Sequence, residues 1–90
     1  MEPLFAWNEE KNELLKQERG ISFNTIVSAI ANDGILDDVR HPSPKFQNQH
    51  MLYVRLENYV VAVPYVWQDD VRFLKTAYLS RKATRRYLKG

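Results

Sequence analysis

Cysteine is absent from this chain of 90 residues, which excludes a disulfide framework and thiolate chemistry and fits a reducing compartment. Glycine occurs only three times, so there is no glycine-rich loop to cradle a phosphate. Only two histidines are present, His41 and His50, without helical ligand spacing, and no metal or other cofactor is expected. No apolar run approaches the roughly 20 residues that a membrane span needs. The opening Met1-Glu2-Pro3 carries neither a basic region nor an apolar signal core. The expectation is a soluble, cytoplasmic protein with no membrane partner. One last absence is local: residues 71–90 contain no acid.

The asymmetry that this leaves is large. Arg72, Lys75, Arg81, Lys82, Arg85, Arg86 and Lys89 give residues 71–90 a charge of +7, while the six remaining basic groups and all eleven acids give residues 1–70 a charge of −5. The net +2 hides this split. A one-signed end on a small, otherwise acidic domain faces a polyanion. The chain is long enough for one domain with an adequate core.

The pattern along the chain predicts the order β-α-α-β-β-β-β-α. Leu4, Phe5 and Trp7 read as a short strand. Asn8 caps a helix that has Glu9, Glu10 and Glu13 early, Lys16 and Arg19 late, and Gly20 as its stop. Ser22 caps a second helix with Phe23, Ile26, Val27 and Ile30 at helical spacing, ended by Asn32-Asp33-Gly34. Residues 35–39 form a strand and 40–49 a loop with two prolines. Strands follow at 51–56, 59–67 and 71–79, joined by hairpin-length links. Pro64 marks a bulge or an edge inside the second of these. Ser80 then caps a short basic helix over 81–89. Two N-terminal helices, a small antiparallel sheet and a basic C-terminal helix make the fold class α+β.

Alternation sorts the candidate surfaces. Leu52, Val54 and Leu56 form an apolar face, with Met51, Tyr53 and Arg55 opposite. In 71–79, Phe73, Lys75 and Ala77 share one face, and Arg72, Leu74, Thr76 and Tyr78 the other. Arg55 and Lys75 either extend from a half-covered face or build a cationic sheet surface with Tyr53 and Tyr65 beside it. In the last helix Arg81, Arg85 and Lys89 stack at i, i+4 and i+8, and Lys82 with Arg86 forms a second row. Arg81 and Lys82 in the first turn oppose the helix dipole, at roughly 0.3–1 kcal/mol per charge. A bound anion relieves that conflict; a purely solvated basic face is the alternative. His50 and His41 are the candidate general acid or base, since imidazole titrates near neutrality.

Two stretches resemble a known family. Phe5-x-Trp7-Asn8-x-x-Lys11 with Arg19-Gly20-Ile21-Ser22-Phe23 resembles the opening of the BrnT-type toxins of bacterial type II toxin–antitoxin pairs. Ser80-Arg81-Lys82-Ala83-Thr84-Arg85-Arg86 resembles that family's ending. The two lie in the family's order, so the resemblance covers nearly the whole chain. Asp38-x-Arg40-His41 matches an Asp-x-x-His stretch, whereas Asn48-Gln49-His50 and Asn58-Tyr59 depart from the family's Glu-x-Arg and glycine-rich hairpin. The resemblance implies a RelE-like fold and a metal-independent endoribonuclease that arrests translation. It implies RNA as substrate, free or on the ribosome. It also implies a cognate antitoxin that covers the basic site and through which operator DNA is reached.

On that reading Arg81 and Lys82 hold the scissile or adjacent phosphate. Arg55, Arg72, Lys75, Arg85 and Arg86 support them, His50 or His41 moves protons, and Tyr87 or Tyr53 stacks on a base. Arg72 and Lys75 lie on opposite faces of one strand and compete for the role. The alternative function is a non-catalytic nucleic-acid- or antitoxin-binding module, or a toxin of the same fold with a target other than RNA.

Overall fold

The computed structural model describes residues 4–46 and 48–88. The order is β1 (Leu4–Trp7), α1 (Glu9–Arg19), α2 (Phe23–Ala31), β2 (Ile35–Arg40), a 3-10 turn (Pro44–Phe46), β3 (His50–Leu56), β4 (Tyr59–Gln68), β5 (Val71–Leu74), β6 (Tyr78–Leu79) and α3 (Arg81–Leu88). The class is α+β. Lys89, the last cation of the expected basic row, lies outside the described residues.

Local chemistry sets the helix ends. The Asn8 side-chain oxygen accepts from Lys11 N at 3.0 Å, and the Ser22 hydroxyl accepts from Thr25 N at 3.1 Å. Gly20 ends α1 in the left-handed region at φ 67°, where an amino acid with a Cβ is strained. The buried Asn12 joins α1 to α2. Its Oδ1 accepts from Phe23 N at 2.8 Å, and its Nδ2 donates to Asn24 Oδ1 at 2.9 Å. Phe23 N is one of the free N–H groups at the start of α2, so this side chain satisfies a donor that the helix cannot.

The sheet is mixed rather than wholly antiparallel. Its order is β1-β5-β4-β3-β2, with β6 also paired to β4. β1 runs parallel to β5, with Phe5 opposite Arg72 and Trp7 opposite Leu74. The other pairings are antiparallel. No turn connects β1 to its neighbour, so nothing local in the sequence fixes its direction.

The expected strand over 71–79 is two strands, and Pro64 is the reason. Pro64 sits in the central strand, and its carbonyl accepts from Lys75 N at 2.8 Å. The carbonyl and the absent N–H of one residue point to the same side of a strand, so this edge lacks a donor at Pro64. The register changes there. Leu74 lies opposite Tyr65, but Tyr78 lies opposite Ala62. Extending both registers sets Lys75 and Thr76 together against Pro64, a one-residue bulge carried by the partner strand. The bulge inverts the alternation. Leu74 shares the face of Tyr65, whereas Tyr78 shares that of Ala62, so the expected common face of Arg72, Leu74, Thr76 and Tyr78 does not exist.

The core lies between α1–α2 and one sheet face. Leu15, Ile21, Phe23 and Ile26 pack with Leu52, Val54, Val61, Val63, Tyr65 and Leu74. Met51 and Ala62 are buried on the reverse face. There α3 reaches Asp37 and Tyr53 through Tyr87.

Asn12→Ala removes the side-chain acceptor of Phe23 N at a buried position. The expected loss is about 1–3 kcal/mol in urea unfolding. An unchanged midpoint would mean that this N–H finds another acceptor.

Candidate nucleic-acid interface

α3 is anchored at its start and bare along its outer side. The Ser80 hydroxyl accepts from Ala83 N at 3.1 Å as the N-cap. Ser80 N donates to Val60 O at 2.9 Å, and Val60 N donates to Thr84 Oγ1 at 2.9 Å. These two bonds tie the first turn of α3 to the start of β4. Ala83 and Thr84 are buried, while Arg81, Lys82, Arg85 and Arg86 are exposed. Among the described residues none of these four cations meets a carboxylate; the ion pairs are Lys16–Glu13 and Arg72–Asp38. Beside Arg81 and Arg85, Tyr59 opens from the β3–β4 turn at 52 % exposure. Tyr59, Arg81, Thr84 and Arg85 line a surface depression of about 430 Å³.

No protein-family model, curated protein or solved structure matches this chain.

A second group of side chains sits at the far end of the sheet. The Arg72 guanidinium lies 4.7 Å from the Trp67 ring centre, 5.4 Å from that of Tyr65 and 5.8 Å from that of Phe5. It donates to Asp38 Oδ2 at 3.1 Å, and the Tyr65 hydroxyl donates to Asp38 Oδ1 at 2.7 Å. His50 stacks on Tyr65 with ring centres 5.3 Å apart. The Arg72 side chain is only 16 % exposed, and its buried Nε has no hydrogen-bond partner among the described residues. Three ring faces and one carboxylate offset the cost of holding this charge out of water. The group binds β1, β5, β4, β3 and β2 together, and through Tyr65 and Phe5 it adjoins the core under α1 and α2.

The structure thus divides the residues expected at one site. Ser80 is bonded at Val60, and His50 lies opposite Tyr65, five residues further along β4. At about 3.3 Å per residue, His50 is about 17 Å from the start of α3. Arg72, opposite Trp67, is further still. Neither joins Arg81 and Lys82. His41 is also elsewhere: its Nδ1 accepts from Ser43 N at 3.1 Å and its ring rests on Phe46, which shapes the 41–46 turn. Lys75 is exposed at the bulge, with its ammonium 5.6 Å from the Phe73 ring centre. Arg55 donates from Nε to Glu57 O at 3.2 Å.

Tyr53 and Tyr87 do come together, with ring centres 5.6 Å apart, and Arg86 lies 5.5 Å over Tyr87. Arg55 and Tyr53 share the α3 face of the sheet, while Tyr65 is buried on the other. Sequence reasoning missed Tyr59 at the depression and the partners of Arg72, namely Asp38, Trp67 and Phe5. The exposed tyrosine directly after a two-residue turn was the available signal for the first. The second had none, because its members are far apart in the chain.

The tyrosines of these groups hold their protons tightly. Burial pushes the Tyr65 hydroxyl above its ordinary value; the hydrogen bond to Asp38 adds to this, and Arg72 works against it. The hydrogen bond to Asp37 and then burial raise Tyr87. Burial works against the charge of Arg72, yet Tyr65 and Asp38 outweigh it and leave Arg72 above its ordinary value.

A tyrosine raised in the folded state contributes stability that is complete below its unfolded value, about 10, and is lost as pH rises through the folded value. Stability measured by urea unfolding is therefore expected to fall above about pH 10, and less steeply in Tyr65→Phe. Equal slopes for the two proteins would remove Tyr65 from the account.

Proposed function

We propose that this chain is a BrnT-type toxin of a type II toxin–antitoxin pair, with a RelE-like fold, and that it cleaves RNA without a metal ion. The observation that carries the reading is α3. Arg81, Lys82, Arg85 and Arg86 are exposed and meet no carboxylate among the described residues, and Tyr59 stands beside them. The resemblance of residues 5–23 and 80–86 to that family supports the assignment. An antitoxin with an acidic segment is the partner that would cover the same ridge.

RNA brings its own nucleophile. The 2′-hydroxyl attacks the adjacent phosphorus in line, the 5′-oxygen leaves, and a 2′,3′-cyclic phosphate remains. Arg81 and Arg85, one turn apart, grip the phosphate and stabilise the extra negative charge on the five-coordinate phosphorus. Lys82 and Arg86 hold the neighbouring phosphates. With both histidines away from the ridge, solvent takes the 2′-hydroxyl proton and protonates the 5′-oxygen. Orientation and charge stabilisation supply the rate.

That same placement of the histidines favours a second reading, in which α3 binds RNA and cuts nothing. Purified protein incubated with RNA, with and without EDTA, separates the two. Cleavage unaffected by EDTA is expected. The double variant Arg81→Ala, Lys82→Ala is expected to lose about 100-fold or more of it. It should also lower the slope of log affinity against log salt by about 1.4 for single strands. Steep salt dependence without cleavage would establish the binding reading. A double variant that cuts RNA and arrests growth like the parent would remove α3 from the site.

A further inference from the structure

We infer that Tyr59 is a stacking platform that makes the α3 site selective for unpaired bases, so that its ligand is single-stranded RNA and not a duplex. This rests on the reading of α3 as an RNA-binding surface and names what that surface selects. Tyr59 is the first residue of β4, directly after the Glu57-Asn58 turn, where Glu57 has φ 57°. Its ring is half exposed although the residues that follow, Val60 to Tyr65, are all buried.

The depression beside it has a guanidinium-bearing wall, Arg81 and Arg85, and a floor at Thr84. Thr84 offers no free hydrogen: its hydroxyl donates to Ser80 O at 2.7 Å while accepting from Val60 N. The recess therefore presents the Tyr59 ring and two guanidinium groups, and Thr84 adds no free donor to it.

This geometry matches one nucleotide. A base lies flat on the tyrosine, and its own phosphate reaches the arginines. The parts are held in register before any ligand arrives, because Val60 adjoins Tyr59 and its N–H and C=O are both bonded to the first turn of α3. A platform fixed in this way binds without first ordering itself. In an A-form duplex the base faces are stacked on one another and unavailable, while the phosphates remain accessible. The cations alone hold either form; the ring adds affinity only for a strand whose bases are free.

The test compares a short unstructured oligoribonucleotide with the duplex of the same sequence, by fluorescence anisotropy at two salt concentrations. Tyr59→Ala is expected to weaken single-strand binding roughly 5- to 150-fold and to leave duplex binding within about twofold. Tyr59→Phe, which keeps the ring, is expected to stay within about twofold of the parent on both. Circular dichroism checks that both variants fold. Single-strand affinity that is indifferent to Tyr59→Ala overturns the inference. So does an equal loss on the duplex, or a loss in Tyr59→Phe as large as in the alanine variant. These outcomes leave salt-dependent RNA binding by α3 intact. A parent protein that binds neither RNA in a salt-dependent way sinks the reading of α3 itself and this inference with it.

Discussion

A proline in the middle of the sheet governs how the rest of this chain is laid out. β4 is the one strand that pairs with β3, β5 and β6, and its stretch from Val60 to Tyr65 is buried on both faces. At Pro64 it has no N–H to give to the β5–β6 edge. The edge answers with two residues, Lys75 and Thr76, against one. The consequence is a change of phase. Before the bulge, Arg72 and Leu74 turn toward the face that carries the core. After it, Tyr78 turns to the reverse face, and the chain passes to Ser80 at the hairpin end of β4. Without the inserted residue, α3 would start from the opposite phase, and Thr84 would not meet Val60.

The second organising feature is a pair of adjacent aspartates on the edge strand β2. Asp37 and Asp38 point to opposite faces, and each accepts a tyrosine hydroxyl at 2.7 Å, from Tyr87 on one side and Tyr65 on the other. One dipeptide thus fastens the edge strand both to α3 and to the Arg72 group. Asp37 accepts from the Tyr87 hydroxyl and Asp38 meets Arg72, and neither forms an ion pair with Arg81 to Arg86.

Much of the fold was legible because much of it is locally encoded. Asn8, Gly20, Ser22 and Ser80 each act on backbone groups within a few residues, and each stands where its side chain or its conformational freedom implies. The apolar and polar alternation of β3 is carried by that strand alone. The direction of β1 depends on β5, far along the chain. The tie from Tyr65 to Asp38 spans 27 residues, and that from Arg72 to Asp38 spans 34. No local pattern marks such pairs. Tyr59 and Tyr65 illustrate the same limit within one strand. Both belong to an apolar, β-branched run, yet one is exposed at a turn and the other is buried against an aspartate.

Arginine plays two opposite parts here, and the difference between them is what gives α3 its meaning. Arg72 is withdrawn from water, and three rings and a carboxylate compensate it. Its charge is spent on holding five strands together. Among the described residues Arg81, Lys82, Arg85 and Arg86 meet no carboxylate, and of the four only Arg86 lies over a ring, that of Tyr87. Two like-charged pairs at i and i+4 cost about 0.2–0.5 kcal/mol each. Two cations in the first turn cost roughly 0.3–1 kcal/mol each against the dipole. Arg85 and Arg86 in the last turn gain about as much from the dipole as Arg81 and Lys82 lose, so the net cost is the like-charge repulsion, about 0.4–1 kcal/mol. Elsewhere the same chain places charge to suit its helices, as α1 does with Glu9, Glu10, Lys16 and Arg19. A polyanion docked on α3 would turn these repulsions into shared attraction to one phosphate chain, and the first-turn N–H groups left free by the Ser80 cap would gain an acceptor.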